Sequence, residues 1–114
     1  VIMKKILLCC LMFISSAAFA GRSVDAKIIN IRVDSSGLGM IHFDSPITGT
    51  VPGCINAVYT NALSFNTNTN GGKSVYAAAL AAKAAGTAII AYGAGVCANY
   101  NGAHVEDLDY LIMR

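Results

Sequence analysis

The chain opens on an unbroken apolar run and then settles into short alternating stretches separated by polar turns. Ala26 to Val33 alternates at period two, with Ile29, Ile31 and Val33 on one side, and predicts a first strand. Asp34-Ser35-Ser36-Gly37 has the chemistry of a turn. Gly39 to Phe43 then predicts a second strand, with Ile41 and Phe43 inward and His42 outward, and a hairpin is the natural join. Pro46 and Pro52 mark Ser45 to Gly53 as a loop, after which Cys54 follows. Ala62 to Asn66 alternates again and predicts a third strand.

Thr67 to Gly72 is a polar break. Lys73 to Ala85 predicts the one clear helix, because alanine and leucine dominate it and both favour helix. Thr69 or Asn70 can cap its start, and Gly86 can end it in a left-handed conformation. Val75, Tyr76, Ala79, Leu80 and then Lys83 or Ala84 recur at i, i+3 and i+4, an apolar stripe expected to pack on a sheet. Thr87 to Tyr92 predicts a fourth strand. Gly93 to Ala103 is a loop holding Cys97 and the turn pair Asn101-Gly102. His104 to Met113 predicts a fifth strand, with Leu108, Tyr110 and Ile112 on one face.

The order β-β-β-α-β-β predicts a mainly β, α+β domain: a five-stranded OB-like barrel with one helix between strands 3 and 4. A generic α+β sandwich fits the same order nearly as well.

The opening run changes what the rest must be. Met3 reads as the start, Lys4 and Lys5 as a positive region, Ile6 to Ile14 as an apolar segment, and Ala18-Phe19-Ala20 as a small-x-small cleavage site. Residues 1–20 are therefore expected to be a signal peptide, and residues 21–114 a single exported domain, periplasmic or secreted. The run is too short for an ordinary membrane-spanning helix, and Cys9 and Cys10 sit too early, after leucines, for a lipoprotein.

Removal of that segment also removes Lys4 and Lys5. Lys and Arg then balance Asp and Glu, because the full chain has 8 basic and 6 acidic residues. No basic face remains for nucleic acid or for anionic lipid. Of the four cysteines only Cys54 and Cys97 stay. In an oxidising compartment an even pair reads as a disulfide. Loop-closure entropy gives such a bond about 4 kcal/mol at this spacing.

Catalytic and metal-binding motifs fail on inspection. Thr67-Asn-Thr-Asn-Gly-Gly-Lys-Ser74 aligns Gly72, Lys73 and Ser74 with a phosphate-binding loop, but Thr67 stands where the first glycine belongs. A helix-capping loop is the expected reading. His104 and Glu106 share a strand face near Asp107 and Asp109, yet a metal needs three or four converging groups and the other histidine, His42, lies in another hairpin. Solvated strand positions are expected there. No serine sits in a nucleophile elbow. The chain is therefore expected to be no enzyme and to carry no metal or cofactor. Ala77 to Ala94 is apolar enough to suggest a membrane-active segment, but Lys83 interrupts it and Gly86 breaks it.

Gly53-Cys54-Ile55, the strand Ala62 to Asn66, the helix ending in Ala85-Gly86, the apolar strand Ala88 to Tyr92 and then Cys97 form a pattern. It resembles small exported bacterial domains such as the B subunit of subtilase cytotoxin and related AB5 toxins. The resemblance spans Cys54 to Ile112. It implies an OB barrel, assembly as a ring of five and recognition of cell-surface glycans.

Ala98-Asn-Tyr-Asn-Gly102 joins the last two predicted strands, where OB barrels commonly bind ligands. Tyr100 offers an exposed ring for sugar stacking, and Asn99 and Asn101 offer donors and acceptors. The expected function is that of a non-enzymatic binding module for a glycan or another exported protein, with homo-oligomerisation allowed. The alternative is a small periplasmic structural or inhibitor-like protein-binding domain without a glycan ligand. Mass spectrometry under non-reducing conditions is expected to find Cys54 and Cys97 joined, with a mass lower by two hydrogens than after reduction. Free thiols at both positions in exported material would contradict this.

Overall fold

β-Branched, aromatic and small residues fill the alternating stretches, and in the computed structural model these stretches become strands. It describes residues 22–55, 57–101 and 104–114, so the expected signal segment lies outside the described residues. The elements are β1 (Ser23–Ala26), β2 (Ile28–Val33), β3 (Leu38–Phe43), β4 (Ala62–Asn66), α1 (Asn70–Ala85), β5 (Ile89–Gly93) and β6 (Glu106–Met113). A 3-10 turn, Ala57–Tyr59, precedes β4.

Among the described residues the fold is mainly β with one helix and one disulfide, as expected. The strands among them number six rather than five, and their pairing order is β1-β5-β6-β4-β3-β2. Neighbours are antiparallel except β4 and β6, which run parallel through Leu63↔Glu106 and Ser64↔Asp107. The extra strand, β1, lies ahead of the first expected one and shares only Ala26 with it, and Lys27 separates it from β2. The Lys27 amide donates to Asp44 Oδ1 at 3.1 Å, and the Lys27 carbonyl accepts from the Asp44 amide at 2.9 Å. Asp44 thus takes the backbone groups of Lys27 away from the ladders. β1 continues to β5 and β2 to β3, at the two ends of the order. The two form no ladder with each other, so the pairing order has six strands and two ends.

Two bulges redirect side chains that strict alternation would place elsewhere. The β2–β3 register shifts between Ile28 and Asn30. Ile28 is buried and Ile31 packs on the core, whereas Ile29 and Val33 are exposed. The β5–β6 register shifts between Tyr92 and Gly93, pairing Tyr92 with Tyr110 and Gly93 with Leu108. Leu108 and Leu111 therefore pack on the core, and Tyr110 and Ile112 face solvent. The expected stripes Ile29-Ile31-Val33 and Leu108-Tyr110-Ile112 are each split in this way.

The main core lies between one sheet face and the helix. Ile41, Phe43, Leu63, Phe65, Ile89 and Ala91 form its centre. A smaller cluster of Met40, Ala62 and Val105, with Tyr59 and Tyr100 against it, occupies the opposite face of β3 and β4.

The helix starts three residues before the expected Lys73. Thr69 is the N-cap and its side chain accepts from the Gly72 amide. Gly86 closes the other end at φ 67°, a conformation that glycine adopts without penalty. The segment resembling a phosphate loop is thus the helix cap. Ala77 to Ala94 divides between α1 and β5. Ala79 and Ala82 are the buried positions of α1, with Val75 and Tyr76 half-buried beside them, and Tyr76 stacks on Phe65. Leu80, expected on the sheet, is 45% exposed. At 100° per residue it falls outside an arc centred on Ala79 and Ala82.

These placements separate two substitutions. Ala82→Asp places an unpartnered carboxylate in the core and is expected to unfold the domain. Leu80→Asp is expected to melt close to the parent temperature. Thermal denaturation followed by circular dichroism distinguishes them.

Candidate binding site

The loop between β5 and β6 is fixed at several points. Cys97 is bonded to Cys54 with a Cα–Cα distance of 6.1 Å. Behind it, Asp107 gathers the chain: its carboxylate accepts from the Ala98 amide at 3.1 Å, the Asn99 amide at 2.9 Å and the Ser64 hydroxyl at 3.1 Å. The Asn99 side chain donates to that same hydroxyl at 3.1 Å. Ser64 is fully buried, so its hydroxyl needs these partners.

Farther along, Tyr100 folds back across the sheet. Its ring is half-buried against Met40, Ala62 and Val105, and its hydroxyl donates to Asp34 Oδ2 at 2.6 Å. Arg32 holds the other oxygen, Nε to Oδ1, at 2.7 Å. The loop is thereby tied to the turn joining β2 and β3. The Tyr100 hydrogen bond, and then that of Arg32, hold the Asp34 carboxyl below the usual range. Burial, followed by the hydrogen bond to Asp34, raises the Tyr100 phenol. His42 lies on this face of β3, and burial, then the Arg32 charge, lower its imidazole. Its Nδ1 is buried without a hydrogen-bond partner among the described residues.

A second anchor is ionic. Glu106, the first residue of β6, is fully buried and accepts from Arg22 Nε at 2.6 Å and from the Gly95 amide at 2.8 Å. The Gly93 amide in turn donates to the Arg22 carbonyl at 2.9 Å. A β-carbon at Gly93 would fall on the Glu106 carboxylate, so any larger residue there must displace that buried group. His104 precedes β6 at φ 67° and is exposed, with Nδ1 3.1 Å from the Cys54 carbonyl.

Of the three candidate residues, Asn99 and Tyr100 are thus engaged by the protein itself, and Tyr100 is not the exposed ring expected. Asn101 is exposed and makes no side-chain hydrogen bond to another described residue. Gly102 and Ala103 lie outside the described residues. His104 and Glu106 are not a solvated pair on one strand face: one is outside the strand and the other is sealed in an ion pair. Among the described residues, no group of three or more His, Cys, Asp or Glu is placed to hold a metal ion. No helix among them is long and apolar enough to cross a membrane. Sequence reasoning missed Arg32, Asp34 and Asp107 as loop anchors, and Arg22 as the partner of Glu106 across 84 positions. Aspartate in a turn was the one local signal, because such residues readily accept hydrogen bonds.

No family model matches the chain, and no curated protein or solved structure matches it either.

The two anchors give separable tests. Glu106→Ala leaves the Arg22 guanidinium buried without a counter-charge and is expected to cost about 3–5 kcal/mol in denaturant unfolding. Tyr100→Phe is expected to lower the melting temperature at neutral pH, since Asp34 loses the phenol donor and keeps only Arg32. A carboxyl with a lowered pKa contributes stability above its unfolded pKa and loses it as pH falls through the folded one. The gap between Tyr100→Phe and the parent should therefore narrow in acid.

Proposed function

We propose that this chain is an exported, non-enzymatic binding module on an OB-like barrel, recognising a cell-surface glycan in the manner of AB5 toxin B subunits. Chain continuity carries the reading. Lys27 alone separates β1 from β2, the strands at the two ends of the pairing order, so one bent run of backbone borders both β5 and β3. The parallel pairing of β4 with β6 and the position of α1 between β4 and β5 support the same architecture. In OB barrels the face of the second and third strands, with the loops joining strands one to two and four to five, takes oligosaccharides and oligonucleotides. The corresponding described segments here are the turn 34–37 and the loop residues 94–101, linked by Tyr100 and Asp34. Balanced charge after loss of Lys4 and Lys5 favours an uncharged ligand over a polyanion. The disulfide suits an oxidising compartment, periplasmic or extracellular.

One observation favours the alternative, a periplasmic structural or inhibitor-like domain whose partner is a protein. Tyr59 and Tyr100 already cover part of the face that an OB barrel offers its ligand.

Glycan-array binding together with sedimentation separates the two readings. Specific binding, weak per site and strengthened by self-association, is the expected outcome. A silent array from a monomeric protein would replace this reading with the alternative.

A further inference from the structure

A different surface of the molecule has the chemistry of a ligand site. The register of β1, β5 and β6 places Ser23, Tyr92 and Tyr110 in one row, and Asp25, Ile90 and Ile112 in the next. The alternate positions Val24, Ala26, Ile89 and Ala91 are buried, so these rows lie on the outer face. Sheets with one wet face ordinarily present polar side chains outward. Here Tyr110 is 47% and Ile112 44% exposed. The Tyr92 and Tyr110 rings stack, with centroids 4.5 Å apart and planes 18° from parallel. Ser23, small, stands on the side of Tyr92 away from Tyr110.

A cleft of about 360 Å³ adjoins this ledge, between β1 and the loop after β3. Ser23, Asp25, Ser45 and Thr48 supply its polar wall, and Pro46 and Ile90 its apolar one. Asp25 is ion-paired with Arg114, so the ledge carries one negative and one positive group in contact.

We infer that the Tyr92–Tyr110 ledge and the cleft beside it bind a neutral saccharide. The inference rests on the glycan reading above and moves its site away from the loop 98–102. A pyranose has an apolar face that stacks on an aromatic ring and a rim of hydroxyls that needs mixed donors and acceptors. The ledge supplies the rings and the cleft supplies serine and threonine hydroxyls and a carboxylate. The cleft volume falls at the small end of small-ligand sites, which suits one or two sugar rings and is too narrow for a helix. Arg114 is occupied by Asp25 and is not free to favour an acidic sugar.

The test uses the full exported chain on an array of neutral and sialylated oligosaccharides, with Tyr110→Ala, Asp25→Asn and, on the exposed side of α1, Lys83→Ala beside the parent. The parent should bind neutral, hexose-terminated glycans. Tyr110→Ala and Asp25→Asn should each reduce binding roughly tenfold or more with little change in melting temperature, and Lys83→Ala should leave it intact. Asp25 is an exposed position, so its variant reads the site even where loss of the tyrosine ring disturbs folding. Parent-like binding by the Asp25 and Tyr110 variants would overturn the ledge and leave the glycan reading standing. Binding confined to sialylated glycans would overturn the neutral ligand. A silent parent would overturn both the ledge and the glycan reading.

Discussion

A carboxylate without access to water fastens the first strand to the last. Taking Glu106 out of water costs several kcal/mol, and its partners, Arg22 at 2.6 Å and the Gly95 amide at 2.8 Å, offset that cost. Such a pair adds little net stability over an apolar substitute, but it tolerates only one geometry. Arg22 must enter where the Gly93 amide can reach its carbonyl, which sets β1 against β5. A β-carbon at residue 93 would displace the carboxylate, and the β5–β6 bulge falls at that glycine. Glu106 also opens the parallel pairing with Leu63. Strand order and register on this side of the molecule follow from one buried charge.

The opposite side is organised by hydrogen bonds to two exposed or half-exposed carboxylates. Asp107 organises the start of the β5–β6 loop and Asp34 receives its far end, so the loop is clamped onto the outer side of β3 and β4. A loop held this firmly presents a fixed surface, and it spends its best aromatic side chain on its own attachment. The free aromatic surface instead lies on β5 and β6, where the bulge turns Tyr110 outward beside Tyr92. The proposed saccharide site is therefore a product of the same bulge that accommodates Glu106.

Much of the architecture was legible in the chain. Period-two stretches marked β2 to β6 near their true limits and left β1 unmarked, Thr69 and Gly86 marked the helix ends, and the cysteine pair marked the cross-link. What escaped has a common physical form. A bulge turns an i, i+2 stripe into i, i+3, so Ile28 with Ile31 and Leu108 with Leu111 face the core while period two points to Ile29 and Tyr110. The buried ion pair joins residues 84 positions apart with no local signature. Tyr100 looked free because its partners, Asp34 and Met40, come from a distant hairpin. Leu80 is the most apolar residue of α1, yet the helix approaches the sheet through alanines, where only small side chains allow contact.

The disulfide also bears on how the chain finds this fold. Cys54 and Cys97 are 43 positions apart, the same separation as Leu63 and Glu106 across the parallel β4–β6 pair. Leu63 lies nine residues beyond Cys54, and Glu106 nine beyond Cys97. In an oxidised chain the route between the pairing residues therefore runs through the cross-link and is less than half as long. Loop-closure entropy for that step falls by roughly 0.8 kcal/mol. Parallel pairing is the slowest kind to form because its contacts are distant in sequence. Oxidation before folding thus brings the two strands into search range and accelerates the contact that joins β6 to β4.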